Sequence, residues 1–148
     1  MKSFVKPLIL FLVGYCAYIA IEVTWRGVSY VQMGVCGGLI ILLVDQINNR
    51  ISWDVDLLIQ GLIGGSIVTM FELVIGELAL HTNLFPVMWD YSNVWCNFDG
   101  VICLPFFFAW VLLSIAAIFI ADAYNYYVWR ELPAPYYRIC GKVVLQYK

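Results

Sequence analysis

Two carboxylates, Glu72 and Glu77, stand inside an apolar run long enough to cross a bilayer, LLIQGLIGGSIVTMFELVIGELAL from Leu57 to Leu80. About 20 apolar residues at about 1.5 Å rise span the hydrocarbon core, so this run reads as a membrane helix. A charge at that depth costs at least about 2.5 kcal/mol, and each acid must be paired, protonated or turned toward water or protein. Two kinds of chemistry follow. A desolvated carboxyl can exchange a proton or bind a cation, or it can serve only as a hydrogen-bonding lock between helices.

A second pair, Glu22 and Arg26, closes the first apolar run; four residues apart, the two share a helix face and can form an ion pair, with Arg26 snorkelling to the headgroups. Counted from the expected start of its helix, Glu72 sits about 22 Å up and Glu77 about 30 Å; Glu22 comes at about 27 Å and Arg26 at about 33 Å. These four charges are therefore expected in one outer layer. Glu72 and Glu77 are five apart, about 140° around the helix, so the two cannot face one narrow partner. Beyond them His81 to Gly100 changes character, with the loop formers Pro86, Asn93, Asn97, Asp99 and Gly100 among the aromatics Phe85, Trp89, Tyr91 and Trp95. A loop of this length is more often functional than a mere connection. Its WDYSN core, Trp89, Asp90, Tyr91, Ser92 and Asn93, is expected to gate the outer mouth of the site, with Asn97 beside it.

The elements that must position these residues are membrane helices. The 148 residues are 64% hydrophobic and only 12% charged, where a soluble domain is about a quarter charged. We expect an all-α fold: one membrane domain over 1–148, with four transmembrane helices at about 4–25, 28–46, 57–80 and 101–128. A long outer loop joins helices 3 and 4, and a basic tail, 130–148, is expected to lie on the membrane surface. The first helix is expected to be retained, with a secretory signal as the alternative. Net charge −2 offers no basic face for nucleic acid, and neither a phosphate-binding Gly loop nor an ATP module is present. The lone histidine, His81, and the absence of a serine paired with a base point away from enzymatic catalysis. The five cysteines lack paired metal spacing, so no metal and no cofactor is expected; a Cys96 to Cys103 disulfide is conceivable on an oxidising exterior.

Glycines supply the packing device. Gly34 and Gly38, and again Gly61 and Gly65, lie four apart and permit close helix approach. With Gly37 and Asp45 in one helix and Gly64 and Glu72 in the other, the spacing repeats, either by chance or as the trace of an inverted repeat. Four crossings put Lys2, Lys6, Arg50, Arg130, Arg138, Lys142 and Lys148 on one side and only Arg26 on the other. That bias places both termini in the cytoplasm.

The segments EVTWRG (Glu22 to Gly27), MGVCGGLIILLVDQIN (Met33 to Asn48), FELVIGE (Phe71 to Glu77), WDYSN, and Asn97 with GVICLPF (Gly100 to Phe106) resemble the family of permeases described as "Putative ABC-transporter type IV". The resemblance runs from about Glu22 to Arg138, is most specific from WDYSN to ICLPF, and ends in the aromatic YNYYVWRELPAPYYR. It implies a small multi-pass protein of a bacterial cytoplasmic membrane. It also implies transport, and at this length assembly into a homo-oligomer or with other membrane subunits.

The function expected is thus a permease-like or transporter component of the lipid bilayer. Its ligand- or ion-binding candidates are Glu22, Arg26, Glu72, Glu77, Trp89, Asp90, Tyr91, Ser92 and Asn97. The alternative is a structural, interaction or holin-like pore-forming oligomer in which the acids only fix packing.

Overall fold

Inside a bilayer every backbone N–H and C=O must be satisfied by the chain itself, so each long apolar run has one stable solution, a helix. The computed structural model of the protein describes residues 2–131 and 133–148. It contains α1 (Lys2–Arg26), α2 (Val31–Arg50), α3 (Leu57–His81), α4 (Leu104–Ala123) and one turn of π-helix, Tyr124–Val128. Two small antiparallel pairs complete it: β1 (Asn97–Phe98) with β2 (Ile102–Cys103), and β3 (Tyr136–Ile139) with β4 (Lys142–Gln146). The four helices are each long and apolar enough to cross a membrane.

The ends of the helices differ from expectation for local reasons. Gly27, at φ 79°, stops α1 through its N–H bond to Val23, and Tyr30 is extended, so α2 starts at Val31 rather than 28. At its other end α2 runs past 46 to Arg50, because the polar residues there find partners: Asn49 Nδ2 donates to the Asp45 carbonyl at 3.0 Å. α4 begins at Leu104 rather than 101, since Ile102 and Cys103 pair with Phe98 and Asn97. Pro105 then falls in its first turn, where a missing N–H costs nothing. All five cysteines are free thiols.

The chain divides into two compact units, Met1–Leu57 with Ala117–Lys148, and Leu58–Ala116. In the first, Leu10, Ile41 and Ala121 form a buried core with Leu42 and Tyr124 packed on it. α1 and α2 meet backbone to backbone: a Cβ on Gly37 would lie 2.8 Å from the Gly14 carbonyl oxygen and 2.4 Å from Tyr18 Cβ. Gly34 and Gly38 receive the rings of Tyr15 and Phe11. In the second unit Gly61, Gly64 and Gly65 receive Ile115, Ser114 and Val111 of α4.

The tail forms a hairpin. Cys140 and Gly141, at φ 51° and 77°, make the two-residue turn that suits a hairpin, and β3–β4 folds around it. Tyr137 is fully buried, at 0% exposure, against Phe119, Trp53 and Tyr147. The α2–α3 turn holds this hairpin through its acids: Asp54 takes Tyr136 OH at 2.9 Å and Arg138 Nη1 at 3.1 Å, and Asp56 takes the Cys140 N–H at 2.6 Å. Lys6 of α1 pairs with Glu131 at 2.7 Å. The α2–α3 turn is thereby tied to the hairpin, and the start of α1 to the segment that follows the π turn.

Because Gly37 has no room for a side chain, Gly37→Val should destabilise the protein by about 1–3 kcal/mol through overpacking. Leu39→Val, on an exposed face, should change the melting temperature in detergent little.

Candidate functional site

Glu72 is 5% exposed on α3, and both of its oxygens are bonded by neutral donors. Trp110 Nε1, from α4, donates to Oε2 at 2.8 Å, and the Tyr91 hydroxyl donates to Oε1 at 2.9 Å. The Tyr91 ring is stacked on Phe106 at 4.6 Å between centroids, which fixes its hydroxyl over α3. These two donors differ in a way that matters chemically. An indole N–H only donates, so Oε2 is always an acceptor; a phenol O–H donates or accepts. A rotation of one O–H bond therefore lets the same pocket hold Glu72 charged or, with its proton on Oε1, neutral.

Of the WDYSN residues, Tyr91 is the one that reaches Glu72. Trp89 Nε1 bonds the Val101 carbonyl at 2.8 Å, and Asp90 Oδ1 takes the Ser92 N–H at 2.8 Å. Asn97 is a clasp for its own segment, with Nδ2 on the Val94 carbonyl at 2.7 Å and Oδ1 on the Gly100 N–H at 3.1 Å. Asp99 and Gly100, at φ 49° and 66°, turn the chain between β1 and β2, and the Gly100 carbonyl returns to the Tyr91 N–H at 2.7 Å. The segment is thus built to hold Tyr91 still. A cavity of about 190 Å³ lies under it, lined by Trp89, Asp90, Ser92 and Asp99 with Gly76, Gly100, Val101 and apolar neighbours. Gly76 is one helical turn beyond Glu72.

Of the remaining candidates, Glu77 belongs to the same unit as Glu72, and Glu22 and Arg26 belong to the other. Glu77 pairs with the exposed His81, Oε2 to Nε2 3.2 Å, one turn along α3. In the other unit Glu22 forms the expected ion pair with Arg26 at 2.7 Å and also accepts the Ser29 hydroxyl; the Arg26 guanidinium lies 5.8 Å from the Tyr30 ring centre.

A second carboxylate site escaped the sequence-based expectations. In the first unit, Asp45 and Asn48 of α2 stand three apart, as do Asp122 of α4 and Asn125 of the π turn. The two Asp-x-x-Asn groups bond reciprocally: Asn48 Nδ2 to Asp122 Oδ2 at 2.7 Å, Asn125 Nδ2 to Asp45 Oδ1 at 2.6 Å. The Tyr137 hydroxyl adds a third bond, to Asp122 Oδ2 at 2.8 Å. Burial, reinforced by the Asp122 charge, pushes that phenol well above its ordinary pKa, so Tyr137 remains a neutral donor. The π turn sets Asn125 toward Asp45, and such turns are frequent at functional positions. The repeated Asp-x-x-Asn spacing was the signal available in the sequence. Among the described residues no group of three or more His, Cys, Asp or Glu gathers as a metal cluster.

The profile of the family described as "Putative ABC-transporter type IV" matches residues 15–147, nearly the whole chain. The chain belongs to that family. Comparison with curated proteins and with solved structures returns no match. The span shared with the type IV family contains every member of both carboxylate sites, from Asp45 to Tyr137, and the Glu22–Arg26 pair as well.

Two measurements check this geometry. Trp110→Phe and Tyr91→Phe each remove one donor from a buried carboxyl and should each cost about 1–3 kcal/mol in thermal unfolding. Asp90, held below the usual carboxylate range by the Ser92 backbone N–H and then its hydroxyl, should stabilise its segment above the ordinary carboxyl pKa and lose that effect as pH falls through the lowered value. The melting-temperature gap between wild type and Asp90→Asn should therefore be small at pH 7 and close on acidification.

Proposed function

We propose that this membrane protein is a permease-like transporter component in which Glu72 takes up and releases a proton or a cation. The observation that carries this reading is the pair of donors on Glu72, one of fixed polarity and one reversible, around a carboxyl buried in a membrane span. Tyr91 couples the charge of that carboxyl to the WDYSN segment, and hence to the cavity beneath it. Membership of an ABC-transporter type family and four apolar helices supply the setting.

In this reading the protein works in a bacterial cytoplasmic membrane with both termini in the cytoplasm, which agrees with the joining of the α2–α3 turn to the β3–β4 hairpin and of Lys6 to Glu131. It acts without enzymatic chemistry of its own. Its small size calls for further copies or other membrane subunits to complete a path. The glycines Gly34, Gly38, Gly61 and Gly65 are filled by side chains of the same chain, so assembly would use other faces.

The test is proton flux in liposomes carrying the purified full chain and a pH-sensitive dye, under imposed Na⁺ or K⁺ gradients. Glu72→Gln should abolish gradient-driven proton movement while the variant elutes and melts like the wild type. Tyr91→Phe should slow it about tenfold or more, as loss of a positioned proton-transfer partner does. Undiminished flux in Glu72→Gln would leave Glu72 as a packing lock and favour the structural or pore-forming alternative.

A further inference from the structure

The Asp45, Asn48, Asp122 and Asn125 quartet is not used by the Glu72 reading, and its polar groups do not balance within the protein. Asp45 and Asp122 are 7% and 4% exposed, and neither forms an ion pair with Lys, Arg or His among the described residues. These two carboxyl groups are thus held by amide and phenol donors alone. Such a pair is costly without a counter-charge.

Asn48 and Asn125 are more than nine-tenths buried, at 8% and 7% exposure. Each spends its Nδ2 on a carboxylate and leaves a buried Oδ1 with no hydrogen-bond partner. Both residues, with Asp122, line a cavity of about 250 Å³ whose wall also includes Asn49 and Glu131. Both bonds to Asp122 fall on Oδ2, so its Oδ1 is uncommitted among the described residues. The donors left over are therefore all oxygens: one carboxylate oxygen and two amide oxygens, with a second buried carboxylate behind Asn125. An orphaned amide oxygen costs about 1–3 kcal/mol, and two of them, on residues that line one polar cavity, call for a partner that accepts lone pairs.

We propose that this cavity binds a hard divalent cation of the Mg²⁺ or Ca²⁺ class. Asp122, Asn48 and Asn125 are its direct ligands, with water completing the coordination; Asp45 is a positioning residue that holds Asn125 and balances the second charge. Oxygen-only donors without thiol or imidazole select this class over zinc or copper. The ligands come from α2, α4 and the π turn, while the Tyr137 bond links Asp122 to the β3–β4 hairpin. Bound metal would hold these elements together. This inference stands apart from the role of Glu72.

The experiment is metal binding to the full-length protein in detergent, stripped with EDTA and titrated calorimetrically with Ca²⁺ or Mg²⁺ alone, with melting curves taken in parallel. One saturable site per chain is expected, with a rise in melting temperature of about 5 °C or more at saturating ion. Asp122→Asn should abolish both, and Asn48→Ala or Asn125→Ala should weaken binding about tenfold or more. Leu39→Val, on an exposed face of α2, should leave binding unchanged. The absence of a saturable site in the wild type would overturn the proposal whatever the variants do. So would an equal melting shift from Na⁺ at matched ionic strength, or a folded Asp122→Asn protein that binds as the wild type does.

Discussion

A carboxyl group in an apolar helix has lost its water, and the protein must return hydrogen bonds to it from whatever elements pack nearby. Glu72, Asp45 and Asp122 all present this demand, and much of the irregular structure answers it. Beside Trp110 of α4 and Asn48 of α2, donors come from the parts that are not plain helix: Tyr91 from the α3–α4 segment, Asn125 from the π turn, Tyr137 from the hairpin. The long run of turns around Asn97 and Gly100 and the Tyr137 cluster of aromatic rings are scaffolding for single hydroxyl groups. Without the buried acids, neither would need to be so closely tied.

Meeting that demand requires helices that come close, and the glycines provide it. Gly34, Gly37 and Gly38 lead to Asp45 with the same spacing by which Gly61, Gly64 and Gly65 lead to Glu72. In each unit the glycine face accepts side chains from one neighbouring helix, α1 in the first and α4 in the second. Seven residues beyond the last glycine is about two turns, so the acid falls on nearly the same face and within reach of what packs there. The repeated spacing thus corresponds to a repeated physical device, whatever its history.

Four helices and their order were legible in the sequence because hydropathy and length leave a membrane chain few options. Glu72 was legible as costly for the same reason, and Glu22 with Arg26 from their spacing. The fine geometry was not. Nothing in the residues from Trp89 to Asn97 distinguishes Tyr91, which reaches the acid, from Asn97, which clasps its own loop; that depends on φ values at Cys96, Asp99 and Gly100. The tail looked like a surface strip because its basic residues are visible in composition, whereas the turn at Cys140 and the burial of Tyr137 are tertiary facts. The end of α2 was misplaced because DQINN resembles a stop signal until its partners in α4 are known.

The two buried sites solve one electrostatic problem with different donors, and the difference sets what each can do. Around Glu72 the donors are an indole and a phenol, which bring no strong acceptor of their own except the phenol oxygen. Adding a proton there needs only one O–H to turn. Around Asp122 the donors are the Asn48 amide and the Tyr137 phenol, and an amide N–H spent on a carboxylate brings a carbonyl oxygen with it. That leftover oxygen is an acceptor, able to take a hydrogen bond from a donor or to coordinate a cation. Side-chain chemistry, more than the charge of the acids themselves, therefore sets apart what the two buried pockets can hold.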